Sequence, residues 1–144
     1  MNRIPKKPLS QIDSGSFKSF ILTSEDQQSF KRGISLFNSG RFWEAHEAWE
    51  EIWQRRPEDA RVFIQGLIQL AAAYHQLKRQ IYRGADIHLR QAEERLKLFP
   101  PDFLGIDVRE LYGEIADSIG LLDSNRSAET NPFQRIVPSK IRML

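Results

Sequence analysis

The sequence predicts an all-α protein, a five-helix bundle of stacked antiparallel helical hairpins. Three observations carry this. Apolar residues recur at three- and four-residue intervals in five stretches, proline- or glycine-bearing breaks separate those stretches, and strand patterns are absent. With 144 residues, 40% hydrophobic and 28% charged, the chain has the size and composition of one domain able to bury a core.

The organisation reads as a basic N-terminal arm over 1–23, a helical bundle over 24–123 and a basic C-terminal tail or strap over 124–144. The arm is rich in proline and serine, with Phe17, Phe20, Ile21 and Leu22 placed to dock on the bundle. The first helix begins at Ser24, whose spacing to Gln27 suits a capping box, and Glu25 and Asp26 suit the positive end of the helix dipole. Phe30, Gly33, Ile34 and Phe37 mark its buried face, and Asn38-Ser39-Gly40 stops it. A second helix is predicted over 41–55, ending before Pro57. The third, over 58–79, is apolar nearly all round and reads as the central helix. A fourth runs over 83–98, closed by Phe99-Pro100-Pro101. The stretch after it is read as a loop, and a fifth helix follows over 108–122.

Charge and composition exclude several classes. With no cysteine, the chain has no disulfide, thiolate metal site or cysteine nucleophile. No apolar run approaches a membrane span, and the N-terminus lacks the apolar stretch of a secretory signal, so a cytoplasmic protein is expected. Arg3, Lys6, Lys7 and Lys18 face one acid, Asp13, in the first arm; Arg126, Arg135, Lys140 and Arg142 face Glu129 at the other end. Such arms can contact nucleic acid, anionic lipid or an acidic partner. Without aromatic interleaving or a recognised nucleic-acid motif, solvated arms are the favoured reading, and nucleic acid ranks last.

A repeat runs through the bundle. Phe42, Ala45, Trp49 and Ile52 share their spacing with Tyr82, Ala85, Leu89 and Ala92, about 40 residues later. Each set lies on one helical stripe, with a small alanine that lets a neighbouring helix approach. With Gly40 at the preceding turn and Pro57 at the far end, the pattern resembles the second helix of a tetratricopeptide repeat.

The candidate site lies in RFWEAHEAWEEIWQRRP, residues 41–57, which holds all three tryptophans. On a helical wheel Phe42, Ala45, Trp49, Ile52 and Trp53 form the core stripe, while Glu44, Glu47, Ala48 and Glu51 face outward. His46 and Glu50 lie one turn apart at the edge of the stripe, with Trp43 close by and Glu47 further toward solvent. Such a pair can point an imidazole and a carboxylate at one ion or at each other. Two ligands fall short of the three or four that zinc uses, so a structural hydrogen bond is the simpler reading from spacing alone. Gln65, Gln69, Ala72 and Gln76 form a polar stripe on the third helix. Buried glutamine needs partners, which directs this stripe to solvent or to the His46/Glu50 edge. Gly66 permits close helix approach. His75 is read as a core or rim histidine and His88 as surface.

GRFWEAHEAWEEIW at 40–53, RVFIQGLIQLAAAYH at 61–75 and GADIHLRQA at 84–92 together resemble the family called domain of unknown function 309, over roughly 24–100. The resemblance implies a compact helical bundle. It also implies a suggested functional or metal-binding role for a histidine, three residues, a glutamate, two residues and a tryptophan or tyrosine, here His46, Glu50 and Trp53. It implies no established substrate.

Two functions compete. The first is a peptide or protein interaction module whose groove is lined by Trp43, His46, Glu47, Glu50, Trp53, Gln65, Gln69 and His75. The alternative is a metal- or small-ligand-binding protein, with a hydrolase as its enzymatic form, using His46 and Glu50 with a divalent metal such as zinc. No nucleophile or oxyanion arrangement can be named, so the reaction class stays unknown and an enzymatic role is left open, the non-enzymatic reading being favoured.

Overall fold

Thr23, rather than Ser24, caps the first helix. Its side-chain oxygen accepts from the Asp26 backbone N–H at 3.1 Å, and helix α1 runs Ser24–Asn38. The shift has a plain cause, because Thr23 has the extended backbone that a capping residue needs. The computed structural model describes residues 6–124 and 131–144. Arg3, Arg126 and Glu129, invoked above for the charge of the arms, lie outside the described residues.

Helix α2 runs Phe42–Arg55, α3 Arg61–Lys78, α4 Tyr82–Leu96 and α5 Val108–Ser124. The chain is an all-α bundle. Successive helices pack on one another, with α3 held between α2 and α4, and α5 closing against α4. Its central place explains why α3 is apolar nearly all round: Phe63, Ile64, Leu67, Leu70 and Ala71 are fully buried. The third helix starts three residues later than expected, because residues 58–60 form a turn instead.

The two hairpin turns are copies offset by 40 residues. At the first, Gly40 N–H donates to Phe37 O and Arg41 N–H to Leu36 O; at the second, Gln80 N–H donates to Leu77 O and Ile81 N–H to Gln76 O. Both turns need a residue at positive φ, supplied by Gly40 at 79° and by Gln80 at 61°. Close packing inside each hairpin rests on glycine. A Cβ on Gly33 of α1 would lie 2.1 Å from Trp49 Nε1 of α2, and one on Gly66 of α3 would lie 3.1 Å from Leu96 Cδ2 of α4.

The stretch read as a loop contains a small hairpin, β1 at Asp102–Phe103 and β2 at Ile106–Asp107. Leu104 and Gly105 at positive φ make its two-residue turn. Two-residue strands are too short to leave an alternating pattern in the sequence. The C-terminal segment adds to this edge, Asp107 N–H donating to Arg142 O and Leu144 N–H to Gly105 O. Upstream, Asn38 at the end of α1 clamps the same segment through Ile141, its amide donating to the Ile141 carbonyl and accepting from the Ile141 N–H, each at 2.8 Å. Tyr74 and Ser139 share a buried hydrogen bond of 2.8 Å.

The N-terminal segment docks through Phe17, Phe20 and Leu22, all buried, with Phe17 stacked on Phe99 at 4.2 Å. Ile21 does not dock; it is 74% exposed. Several basic groups of both arms have partners within the chain. Lys7 pairs with Asp59, Lys140 donates to Asn38 O, and Arg142 pairs with Glu110. Among the described residues no helix is long and apolar enough to cross a membrane.

Candidate functional site

The core stripe of α2 is buried as its spacing requires: Phe42, Ala45, Trp49, Ile52 and Trp53 are each under a tenth exposed. The opposite face is less wet than expected. Ala48 is buried, and Glu51 accepts from Ser29 and Arg32, because α1 crosses this side of α2. Glu44, Glu47 and Glu51 are exposed, as expected.

His46 and Glu50 sit where α2, α3 and α4 frame a cleft of about 290 Å³. Its lining joins His46, Glu50 and Trp53 of α2, Gln65, Ile68, Gln69 and Ala72 of α3, and His88, Gln91 and Arg95 of α4, with Lys6 from the N-terminal segment. The polar stripe of α3 thus faces the His46/Glu50 edge. His46 Nε2 and Glu50 Oε1 are 3.7 Å apart, too far for a hydrogen bond. Glu50 instead accepts from Gln54 at 3.0 Å, and the His46 ring stacks on Trp43 at 4.7 Å. Burial pushes the His46 pKa below the ordinary histidine value, against the opposing pull of Glu50 and Glu47. The pair therefore faces an open cleft rather than closing on itself.

The polar bookkeeping of this cleft is unusual. Among the described residues, the buried side-chain polar atoms without a hydrogen-bond partner are His46 Nδ1, Trp53 Nε1, Gln69 Oε1 and Arg95 Nε. All four belong to residues that line this cleft. Buried polar atoms are ordinarily paired, and leaving one unpaired costs about 1–3 kcal/mol. Gln69 has one bond, its amide donating to Gln91 at 3.3 Å, and Arg95 donates to Gln91 O at 3.2 Å.

His88, read as a surface residue, belongs to the cleft. Its Nδ1 lies 2.7 Å from Gln76 Oε1 and 3.1 Å from the Gly84 carbonyl, two acceptors that assign the proton to Nδ1 and leave Nε2 as an acceptor. Gln76 reaches it across the α3/α4 contact, where a Cβ on Gly84 would lie 2.5 Å from the Gln76 amide nitrogen. Gln91, Arg95 and Lys6 were not foreseen either. The expected groove divides: Trp43 and His75 line an adjoining shelf with Gln76, Arg79 and Ile81, and share His46, Ala72 and His88 with the cleft. Glu47 lines neither.

A larger space of about 550 Å³ lies under the C-terminal segment, against Phe37, Phe42, Tyr74 and Leu77. It is mainly apolar, and Asn38, Tyr74 and Ser139 on its wall are already paired. Among the described residues, those with buried unpaired polar atoms line the smaller cleft.

Residues 30–87 match the model of a family described as a domain of unknown function, DUF309. The match bears out the resemblance to this family over 30–87, a shorter span than the 24–100 read from the sequence, and does not address the signature at His46, Glu50 and Trp53. An uncharacterized protein of Aquifex aeolicus (strain VF5) is 29% identical over 105 residues, which is 72% of this chain and 31% of the relative. The chain thus spans about a third of the length of the curated relative it matches. The DUF309 segment contains His46, Glu50, Trp53, Gln65 and Gln69, and assigns them no role; Lys6, His88, Gln91 and Arg95 fall outside it.

The metal role that the DUF309 resemblance suggests can be tested on the donor set. Among the described residues no three His, Cys, Asp or Glu side chains converge as a metal group would require. His46 and Glu50 alone do not make up the three or four protein ligands of a zinc site. The arrangement does not fit a resident zinc ion.

Proposed function

We propose that this protein is a small-ligand-binding helical domain whose site is the cleft between α2, α3 and α4. The observation that carries the reading is that His46, Trp53, Gln69 and Arg95, the residues with buried unpaired polar atoms among those described, all line one cavity. A cleft that size has room for about ten water molecules, so its ligand is a small polar metabolite.

Ligand-observed NMR of the full chain against a library of small polar metabolites tests this. Binding that is lost in the Gln65→Leu, Gln69→Leu double variant supports the reading. No binder, or a binder indifferent to both glutamines, counts against it.

A second reading, a peptide interaction module, draws on the adjoining shelf. Trp43 is 50% exposed there and Ile81 43%, beside His75, giving an apolar rim next to a polar cleft. A peptide lying on the shelf would place one polar group in the cleft. Trp43→Ala would abolish capture of such a peptide and leave binding of a small ligand in the cleft intact.

A further inference from the structure

Resting on the small-ligand reading above, we infer that the cleft recognises an anionic head group, a carboxylate or a phosphate, held by Arg95 and Trp53. Two other shielded arginines of this chain are bonded to carboxylates. Arg56, whose side chain is 14% exposed, is bonded to Asp26 and Glu58. Arg90, 34% exposed, is bonded to Asp86 and Asp123. Arg95 is as shielded as Arg56, at 16%, yet its nearest carboxylate is Glu94 at 4.0 Å, on a side chain 56% exposed to solvent. Its one hydrogen bond goes to a neutral carbonyl, Gln91 O, and its Nε is buried without a partner. A guanidinium removed from water and left without a counter-ion is costly unless an anion arrives.

The neighbours agree in sign. Trp53 lines the same cleft, and its Nε1, which can only donate, is buried without a partner. Lys6 brings an ammonium to the lining, 5.7 Å from the Trp53 ring centre. A guanidinium and an indole N–H are both donors, the complement of the acceptor oxygens of a carboxylate or phosphate. Glu50 also lines the cleft, but it accepts from Gln54, and no ion pair joins it to Arg95. Glu50, His46 and Gln69 bring acceptors to the lining, suited to hydroxyl or amine groups elsewhere on the molecule. Because His46 and Gln69 can accept and Arg95 and Trp53 donate, the ligand class is a small organic anion with a hydroxyl- or amine-bearing body.

The test is a nitrogen-15 NMR titration of the full chain at constant ionic strength, following the Trp53 indole N–H and the Arg95 Nε–H. The probes are inorganic phosphate, acetate, glycerol and methylammonium chloride. Saturable shifts with phosphate, acetate or both, weakened at least tenfold in Arg95→Met, support the inference; which anion binds tells a phosphate from a carboxylate head. Trp53→Phe, which keeps an aromatic side chain and removes the donor, should weaken the same probe several-fold, and Arg95→Lys should retain part of the binding. Anion shifts that persist undiminished in Arg95→Met overturn the inference. Shifts with glycerol or methylammonium alone overturn it while the small-ligand reading stands. If no probe moves these resonances, and the metabolite library also yields no binder, both readings fall.

Discussion

Gly33→Ala is the sharpest test of how the first hairpin is built. In an exposed helix this change stabilises by about 1 kcal/mol, because alanine has the better helix propensity. Here the new methyl would meet Trp49 Nε1 at 2.1 Å, Cε2 at 2.5 Å and Cδ1 at 2.6 Å. The indole cannot swing away cheaply. It is fully buried, and its N–H donates to Phe30 O at 3.2 Å. Overpacking costs about 1–3 kcal/mol and loss of the indole hydrogen bond about 1 kcal/mol. After the propensity gain is subtracted, the net loss is about 2 kcal/mol. For a chain of this length that lowers the melting temperature by roughly 6 °C. Gly113→Ala and Gly120→Ala in α5 are matched controls, since nothing lies within 4 Å of either new methyl. Each should gain up to about 1 kcal/mol. Urea unfolding followed by helical circular dichroism measures all three. A Gly33→Ala variant as stable as the controls would refute the close approach of α1 and α2.

Asp26 is 2% exposed and takes hydrogen bonds from Arg55 and Arg56, which more than offset burial and hold its pKa below the ordinary carboxylate value. Its contribution is present above the unfolded-state value and fades as pH falls below about 4, so Asp26→Asn should cost about 2 kcal/mol at pH 7 and much less at pH 3, read from urea melts at both. Asn38→Ala removes both hydrogen bonds to Ile141 and should cost about 2 kcal/mol while exposing the C-terminal segment to proteolysis; equal protease resistance would contradict the clamp. His46 has a folded-state pKa below its unfolded one, so the unfolded chain binds the extra proton first. Wild-type stability should therefore fall, relative to His46→Gln, as pH drops below about 6.5, and NMR titration should place the His46 midpoint lower than that.

Much of the bundle could be read from residue spacing, because a core stripe is a local property. Trp49 and Ile52 had to point one way once α2 was a helix, and the apolar girth of α3 announced its central place. The polar stripe of α3 found the right neighbour for a related reason: buried glutamines need partners, and His46 and Glu50 offered the nearest polar edge. The remaining part of the site depends on distances that no spacing contains. His88, Gln91 and Arg95 look like an ordinary polar face of α4, and only the close α3/α4 contact at Gly66 and Gly84 turns that face inward. Ala48 was misplaced because the wheel of α2 does not say that α1 covers a second side. Lys6 reaches the cleft from the other end of the chain. The hairpin at 102–107 went unread because its third partner is the C-terminal segment.

The central claim is that the polar groups of the cleft are kept for a ligand and not for the fold. Unfolding free energies of Arg95→Met and Gln69→Leu, measured without added ligand against Arg56→Met, test it most directly. Arg56→Met strips Asp26 and Glu58 of a partner and should be clearly destabilising, by about 2 kcal/mol. Arg95→Met and Gln69→Leu remove groups whose buried atoms lack partners, so both variants should be as stable as the wild type or more so. Losses at Arg95 and Gln69 equal to that at Arg56 would make these residues structural and contradict the claim.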